Sequence, residues 1–308
     1  MRIVFMGTPD YSVPTLSKLI SAGHTVAAVF CQPDKPVGRK QILTPPPVKV
    51  FAEEKGIPVF QPSTLRDGAA YTMLQDLAPD IIIVVAYGKI LPEEILYLPK
   101  FGAICGHASL LPKLRGASPI QWAIVTGETE TGVTVMQMDA GIDTGDILSI
   151  EKTVISPDET AGELFDRLSV ITTDLIVKTV DDIEKGTICP IKQNDALATY
   201  APIIKKEMAH IDFTKSAREI CCAVRGFCPW PVAFCYIGDK RLKVLKAKEC
   251  GGFVGKSGEI VCCDGRLLVA CGDNSAIEFL TVQPEGGRVM DAADMLKGHK
   301  FERGMVLC

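Results

Sequence analysis

Asp80-Ile81-Ile82-Ile83-Val84-Val85-Ala86 holds five consecutive β-branched apolar residues between a polar and a small one. A strand with one wet face alternates apolar and polar residues. An unbroken run is apolar on both faces, as an interior strand of a parallel sheet must be. Working outward, residues 2–6 and 25–31 form similar runs upstream, and 102–105 and 132–138 follow downstream, with 118–125 reading as a helix between these last two. Strands alternating with amphipathic stretches of helical length predict an α/β fold: a doubly wound, mostly parallel sheet with ligands at the carboxyl ends of its strands.

Further on, Ser156-Pro157-Asp158-Glu159 has the composition of a helix start, with Ser as cap, Pro in the first turn and Glu completing a capping box. Leu164, Leu168, Ile171 and Leu175 then recur at helical spacing and read as core. Periodicity is lost after Gly186, where Pro190 and Pro202 mark a connection. Beyond it come one helix-like segment, 216–224, and short strand-like runs at 232–236, 242–245, 259–262, 267–271 and 276–280. Their near-regular spacing fits a small β-barrel of the oligonucleotide-binding type, although periodicity alone does not separate barrel from sandwich. The predicted organisation is a catalytic domain at 1–188, a linker at 189–205 and a smaller domain at 206–308.

A chain of 308 residues is long enough for two cores. Its formal charge of −4 argues against a surface that grips nucleic acid everywhere, but the charge is uneven: residues 206–308 hold 15 Lys+Arg against 13 Asp+Glu, and residues 1–205 hold 18 against 24. Twelve cysteines without C-x-x-C spacing read as reduced, mostly buried thiols rather than a disulfide framework, and no metal is expected. The N-terminus leads straight into a strand and no apolar run reaches 18 residues, so the expectation is a cytoplasmic protein with no membrane association, and a monomer.

Gly7-Thr8-Pro9-Asp10 lies where a dinucleotide fingerprint would sit, between a strand and a helix, but it lacks G-x-G-x-x-G spacing. A nicotinamide enzyme is thereby disfavoured. The chemistry concentrates instead in His107-Ala108-Ser109-Leu110-Leu111-Pro112-Lys113-Leu114-Arg115-Gly116 and in Asp143, 36 residues after His107. Together with Gln32-Pro33-Asp34-Lys35-Pro36-Val37-Gly38-Arg39, Val85-Ala86-Tyr87-Gly88, Gly116-Ala117-Ser118-Pro119-Ile120-Gln121 and Pro229-Trp230-Pro231, these blocks resemble the folate-dependent formyltransferases along essentially the whole chain. The resemblance implies a Rossmann-like catalytic domain with an OB-like C-terminal domain. It also implies 10-formyltetrahydrofolate as formyl donor and the α-amine of methionine on initiator methionyl-tRNA as acceptor.

Attack of an amine on a formyl carbon needs a donor aimed at the developing oxyanion and a group that relays protons between the two nitrogens. His107 suits the first task and Asp143 the second, and the resemblance places both there; an Asx-turn role is the other reading of Asp143. The resemblance puts Ser109, Leu110, Leu111 and Pro112 against the folate, Thr134 near the centre as a hydroxyl, and residues 83–85 in the pterin wall. It also implies an asparagine two residues before the histidine. This chain has Cys105 there, a weak donor that cannot replace an amide NH₂, which predicts slower turnover with His107 carrying most of the oxyanion stabilisation. Covalent transfer through the Cys105 sulfur is an alternative.

For the tRNA, the resemblance places the loop 34–49 at the acceptor stem, with Arg39 and Lys40 as contacts. Lys205, Lys206, Lys240, Arg241, Lys243, Lys246 and Lys248 would supply a basic face, while Trp230 and Phe227 are aromatic candidates either for stacking or for packing a corner. Two other functions stay open: formyl transfer to an amino sugar or purine-precursor ribotide, and a catalytically weakened tRNA-binding homologue.

Overall fold

The computed structural model describes residues 1–38, 40–298 and 301–308. Contacts group the chain into two compact units, one made of Met1–Gly116, Thr131–Thr153 and Phe165–Tyr200, the other of Ala117–Glu130, Val154–Leu164 and Ala201–Cys308.

The strands of the first half are β1 (Arg2–Gly7), β2 (Thr25–Phe30), β3 (Lys35–Val37), β4 (Ile42–Thr44), β5 (Val59–Phe60), β6 (Ile81–Val85), β7 (Ala103–His107), β8 (Glu130–Gln137) and β9 (Ile147–Val154). Seven of them form one sheet in the order β5-β2-β1-β6-β7-β8-β9, and β3 with β4 makes a separate hairpin. The Ile/Val run behaves as its pattern requires: β6 is buried throughout and pairs in parallel with β1 on one side and β7 on the other. The β7–β8 pair is antiparallel and sets Thr134 opposite His107 at the carboxyl end of β7. Helices α1 (Val13–Ser21), α2 (Pro47–Glu54), α3 (Ala69–Leu77) and α4 (Glu93–Leu96) connect the early strands.

At the point where strand order reverses, beside β1 and β6, the first loop is closed by its own side chains. Thr8 Oγ1 donates to the Tyr87 carbonyl at 3.0 Å, Ser12 Oγ to the Val85 carbonyl at 2.7 Å, and Gln32 Nε2 to the Tyr87 and Gly88 carbonyls. The carbonyls at the end of β6 are therefore satisfied from within, and the candidate residue His107, with Thr134 opposite it, lies one strand further along, at the end of β7.

After α5 (Pro119–Val125) comes α6 (Ala161–Glu184), which starts later than its sequence suggests. Ser156-Pro157-Asp158-Glu159 is a turn, in which the Glu159 carboxylate accepts from the Ser156 backbone N–H. The capping box falls instead on Thr160 and Glu163, each bonding the other's backbone. Both quartets offer a hydroxyl followed three residues later by a glutamate, and composition does not rank them. Leu164, Leu168 and Leu175 are buried, and Ile171 is half-buried.

The second unit contains α7 (Ala217–Gly226), β10 (Ala233–Ile237), β11 (Lys240–Cys250), β12 (Ile260–Cys262), β13 (Leu267–Ala270), β14 (Ala276–Pro284), β15 (Met290–Asp291) and α8 (Ala292–Gly298). Its sheet runs β10-β11-β14-β13-β12, with β15 on β14, all antiparallel. The end of the chain bonds both edges: Met305 O accepts from Ile260 N and Leu307 N donates to Gly258 O, while Cys308 N donates to Tyr236 O. This is one curled antiparallel sheet bridged by residues 305–308, not two stacked sheets. Ile220 and Val224 of α7 pack into its core with Leu242, Val244, Val269 and Phe279. A capping box between Ser216 and Glu219 begins α7. Ser216→Ala should lower unfolding free energy by about 1 kcal/mol in urea titration.

All twelve cysteines are free; four are buried, so burial is less general among them than the composition suggests. Among the described residues no helix is long and apolar enough to cross a membrane.

Candidate active site

His107 closes β7 and is 7% exposed. Its Nε2 lies 2.9 Å from the Leu114 carbonyl oxygen, and Nδ1 lies 3.6 Å from Asp143 Oδ2. A carbonyl only accepts, so Nε2 must carry a proton and the neutral ring presents an unprotonated Nδ1 toward Asp143. A proton gained by the ring therefore appears at Nδ1, facing a carboxylate.

Asp143 sits in the loop after β8 with φ +55°. Its Oδ2 accepts from the Gly116 backbone N–H at 2.7 Å. Its carbonyl and that of Gly145 accept from Gln193 Nε2 at 2.9 and 2.8 Å. Gln193 Oε1 in turn accepts from Arg115 Nε and Nη2 at 3.1 and 2.7 Å, and Arg115, only 2% exposed, also reaches Asp195 Oδ1 at 2.7 Å. Sequence reading missed Arg115 as a scaffold and Gln193 altogether; the stretch read as a bare connection lies against residues 112–116, with Thr199 bonding Leu114 and Arg115.

Cys105 lies two residues before His107 on β7 and thus on the same face of the strand. It packs beside Leu111, Met136 and Ile147. Burial, reinforced by the Asp143 charge, pushes its thiol far up, so it stays protonated. A thiolate nucleophile is absent on this account, which removes the main support for the covalent alternative.

Ser109, Leu110, Leu111 and Pro112 form the turn after β7. Thr134 fixes them: its hydroxyl donates to Ser109 O at 2.7 Å and accepts from Leu111 N at 3.1 Å. The Thr134 hydroxyl thus holds the turn. Ser109 Oγ donates to Lys113 O, and Leu111 is buried while Leu110 stays half-exposed. A cavity is lined by Lys89, Leu91, Met136, Met138, Ile142 and Asp143 among others; none of Ser109, Leu110, Leu111 and Pro112 lines it, and Leu111 packs with Met136. Residues 83–85 are buried core, and of the stretch that follows them Lys89, Ile90 and Leu91 line the cavity. Tyr87 is itself buried, and burial pushes its hydroxyl up to about 12.

Residues 1–180 match the formyl transferase family, and residues 203–300 match the formyl transferase C-terminal domain. The chain belongs to the formyl transferase family. It is 48% identical over 312 residues to the methionyl-tRNA formyltransferase of Geobacter metallireducens, across 100% of this chain and 98% of that one. With the methionyl-tRNA formyltransferase of Lachnospira eligens it shares 46% over 314 residues, 100% of this chain and 99% of the other. Solved structures share the fold at lower identity. One is the N-formyltransferase of Helicobacter canadensis (TM-score 0.69, 22% identical, 90% of this chain and 98% of that chain). Another is the methionyl-tRNA formyltransferase of Clostridium thermocellum (TM-score 0.57, 22%, 80% and 93%).

In this formyl transferase, Arg39 lies outside the described residues, and Lys40 is exposed beside the β3–β4 hairpin, whose Val37, Ile42 and Leu43 are 55–65% exposed. Lys49 is not free: it pairs with Asp34 at 3.0 Å and bonds Gln61, and the Gln61 amide, followed by Lys49, holds the Asp34 carboxyl below the usual carboxylate range. On β11, Arg241, Lys243, Lys246 and Lys248 avoid the core side taken by Leu242 and Val244. Arg241 stacks over Phe234, 4.5 Å to the ring centroid, and His210 stacks on the same ring; Lys248 pairs with Glu278. Phe227 is buried and Trp230 is 51% exposed, while the Cys228 carbonyl of the same block accepts from the Gly162 N–H at the start of α6.

Proposed function

We propose that this chain transfers a formyl group from 10-formyltetrahydrofolate to the α-amine of methionine on initiator methionyl-tRNA. The observation that carries the reading is the His107–Asp143 pair, whose Asp143 lines the cavity, in a chain 48% identical over its full length to a methionyl-tRNA formyltransferase.

The residues present fit the folate. Leu91, Met136 and Met138 offer an apolar slot for a flat heteroaromatic ring, and Lys89 and Asp143 offer polar partners at its edge. Leu110 adds half-exposed apolar surface beside the Ser109–Pro112 turn. In the reaction the amine nitrogen bonds the formyl carbon, the bond from that carbon to the folate nitrogen breaks, and one proton passes from the amine to the departing nitrogen. Asp143 Oδ2 is committed to Gly116 and faces His107, which leaves Oδ1 to take the proton, directly or through a water. Because Nε2–H is directed at Leu114, His107 can donate to the formyl oxygen only through Nδ1–H, that is, as imidazolium beside Asp143. Asp143 thus carries the proton from the amine to the departing nitrogen, while His107, already protonated at Nδ1, donates to the oxygen.

The exposed hairpin with Lys40 suits the acceptor end, and the β11 cations suit a phosphate backbone. A single-turnover assay with 10-formyltetrahydrofolate and methionyl-tRNA tests this. Formylmethionyl-tRNA should form, and transfer at limiting enzyme should weaken as salt rises. Formylation of an amino sugar or a purine-precursor ribotide in preference would overturn the acceptor. Salt-sensitive tRNA binding without transfer, even at high enzyme, would favour the second reading that Cys105 raises, a homologue that only binds.

A further inference from the structure

We propose that Gln193 is a positioning residue for formyl transfer, holding the backbone of the Asp143 loop so that the carboxylate meets His107, with the buried Arg115 fixing Gln193 in turn. This rests on the reading of His107 and Asp143 as the reacting pair.

The orientation of the Gln193 amide is dictated by its partners. Arg115 has only donors, so the atom facing Nε and Nη2 is Oε1; the other end then points its two N–H bonds at two carbonyls, Asp143 O and Gly145 O. No other standard side chain of that reach offers a double donor and an acceptor without charge. A glutamate would set a carboxylate against two carbonyl oxygens, and a lysine would set a cation against Arg115.

Gln193 acts on a conformation the loop does not adopt freely. Asp143 has φ +55°, in the left-handed region, and its carboxylate is tethered at the far end by Gly116 N–H. Two anchors, one on the carbonyl and one on the carboxylate, together set the side chain's direction. Both trace back to the same strip, because Gly116 follows Arg115, and the Leu114 carbonyl that fixes the His107 ring precedes it. At the other end of the loop the backbone of Gly145 packs too closely on β8 for any side chain: a Cβ there would lie 1.7 Å from the Gln137 carbonyl oxygen. Gln193 thus closes a frame in which residues 114–116 hold both members of the pair.

Gln193→Met removes both amide functions at similar volume, and Gln193→Glu keeps the acceptor for Arg115 while removing the donors. Both should lower kcat by about 10²-fold, as small misplacements of a reacting group do, with KM for both substrates within about twofold of wild type. A second readout does not need activity. With four histidines in the chain, the His107 ring can be followed by the NMR shifts of its two ring nitrogens, one bonded to the Leu114 carbonyl and one facing Asp143. Asp143→Asn should move the Nδ1 signal, and both Gln193 variants should move it too as the carboxylate leaves its place. An unchanged Nδ1 signal with wild-type kcat in the Gln193→Glu protein would overturn the proposal, as would a rise in KM alone. If instead Asp143→Asn transfers formyl groups at the wild-type rate, the fault lies in the reading of the pair.

Discussion

His107→Gln lowers single-turnover formyl transfer by about 10²–10⁴-fold, the range lost when a positioned acid–base group is removed. Glutamine is the informative replacement because its amide nitrogen falls where the ring Nε2 does and can still donate to the Leu114 carbonyl, the hydrogen bond that ties the ring into the fold. What it cannot do is accept a proton where Nδ1 does, opposite Asp143 Oδ2. The loss should therefore fall on kcat, with binding of methionyl-tRNA and of the folate unchanged. A variant that turns over within a few-fold of wild type would return His107 to the role of a structural histidine and leave Asp143 to act alone.

The parts of this molecule legible in its sequence are those whose cause is local. The Ile81–Val85 run needs only its own composition to be read as an interior strand, and the short strands from Ala233 to Pro284 need only their spacing. His107 and Asp143 were legible as residue types in recognisable blocks, and they do face each other. What was hidden depends on contacts across the chain. Gln193 lies 50 residues from the carbonyl it bonds, in a stretch whose lost periodicity suggested a connection. The bridging of the curled sheet by its last residues is equally non-local, since a few residues without alternation carry no strand signal. The shifted start of α6 is a different failure, two equivalent local signals four residues apart of which packing selects one.

Cys105→Asn should raise kcat by roughly 10²-fold, the lower end of what a single oxyanion donor contributes. The residue shares a strand face with His107, and its thiol is held protonated by burial and by the Asp143 charge. It is therefore neither a nucleophile nor, as a weak S–H donor, a strong stabiliser of negative charge on the formyl oxygen. An amide NH₂ at this position would add a second donor to the imidazolium N–H and relieve His107 of carrying that charge unaided. The gain has a cost, because Leu111, Met136 and Ile147 make one side of the site apolar and an amide buried there without its substrate is short of partners. A loss of about 1–3 kcal/mol in unfolding free energy is the corresponding expectation. Activity and stability should thus move in opposite directions, which a generally improved or damaged protein would not show. The covalent alternative makes the contrary forecast: removing the sulfur would abolish transfer, and the wild type would accumulate a formyl thioester visible by mass spectrometry. If the asparagine variant folds with the urea midpoint of the parent yet turns over no faster, the oxyanion is already fully served by His107, and Cys105 is a packing residue that the reaction does not notice.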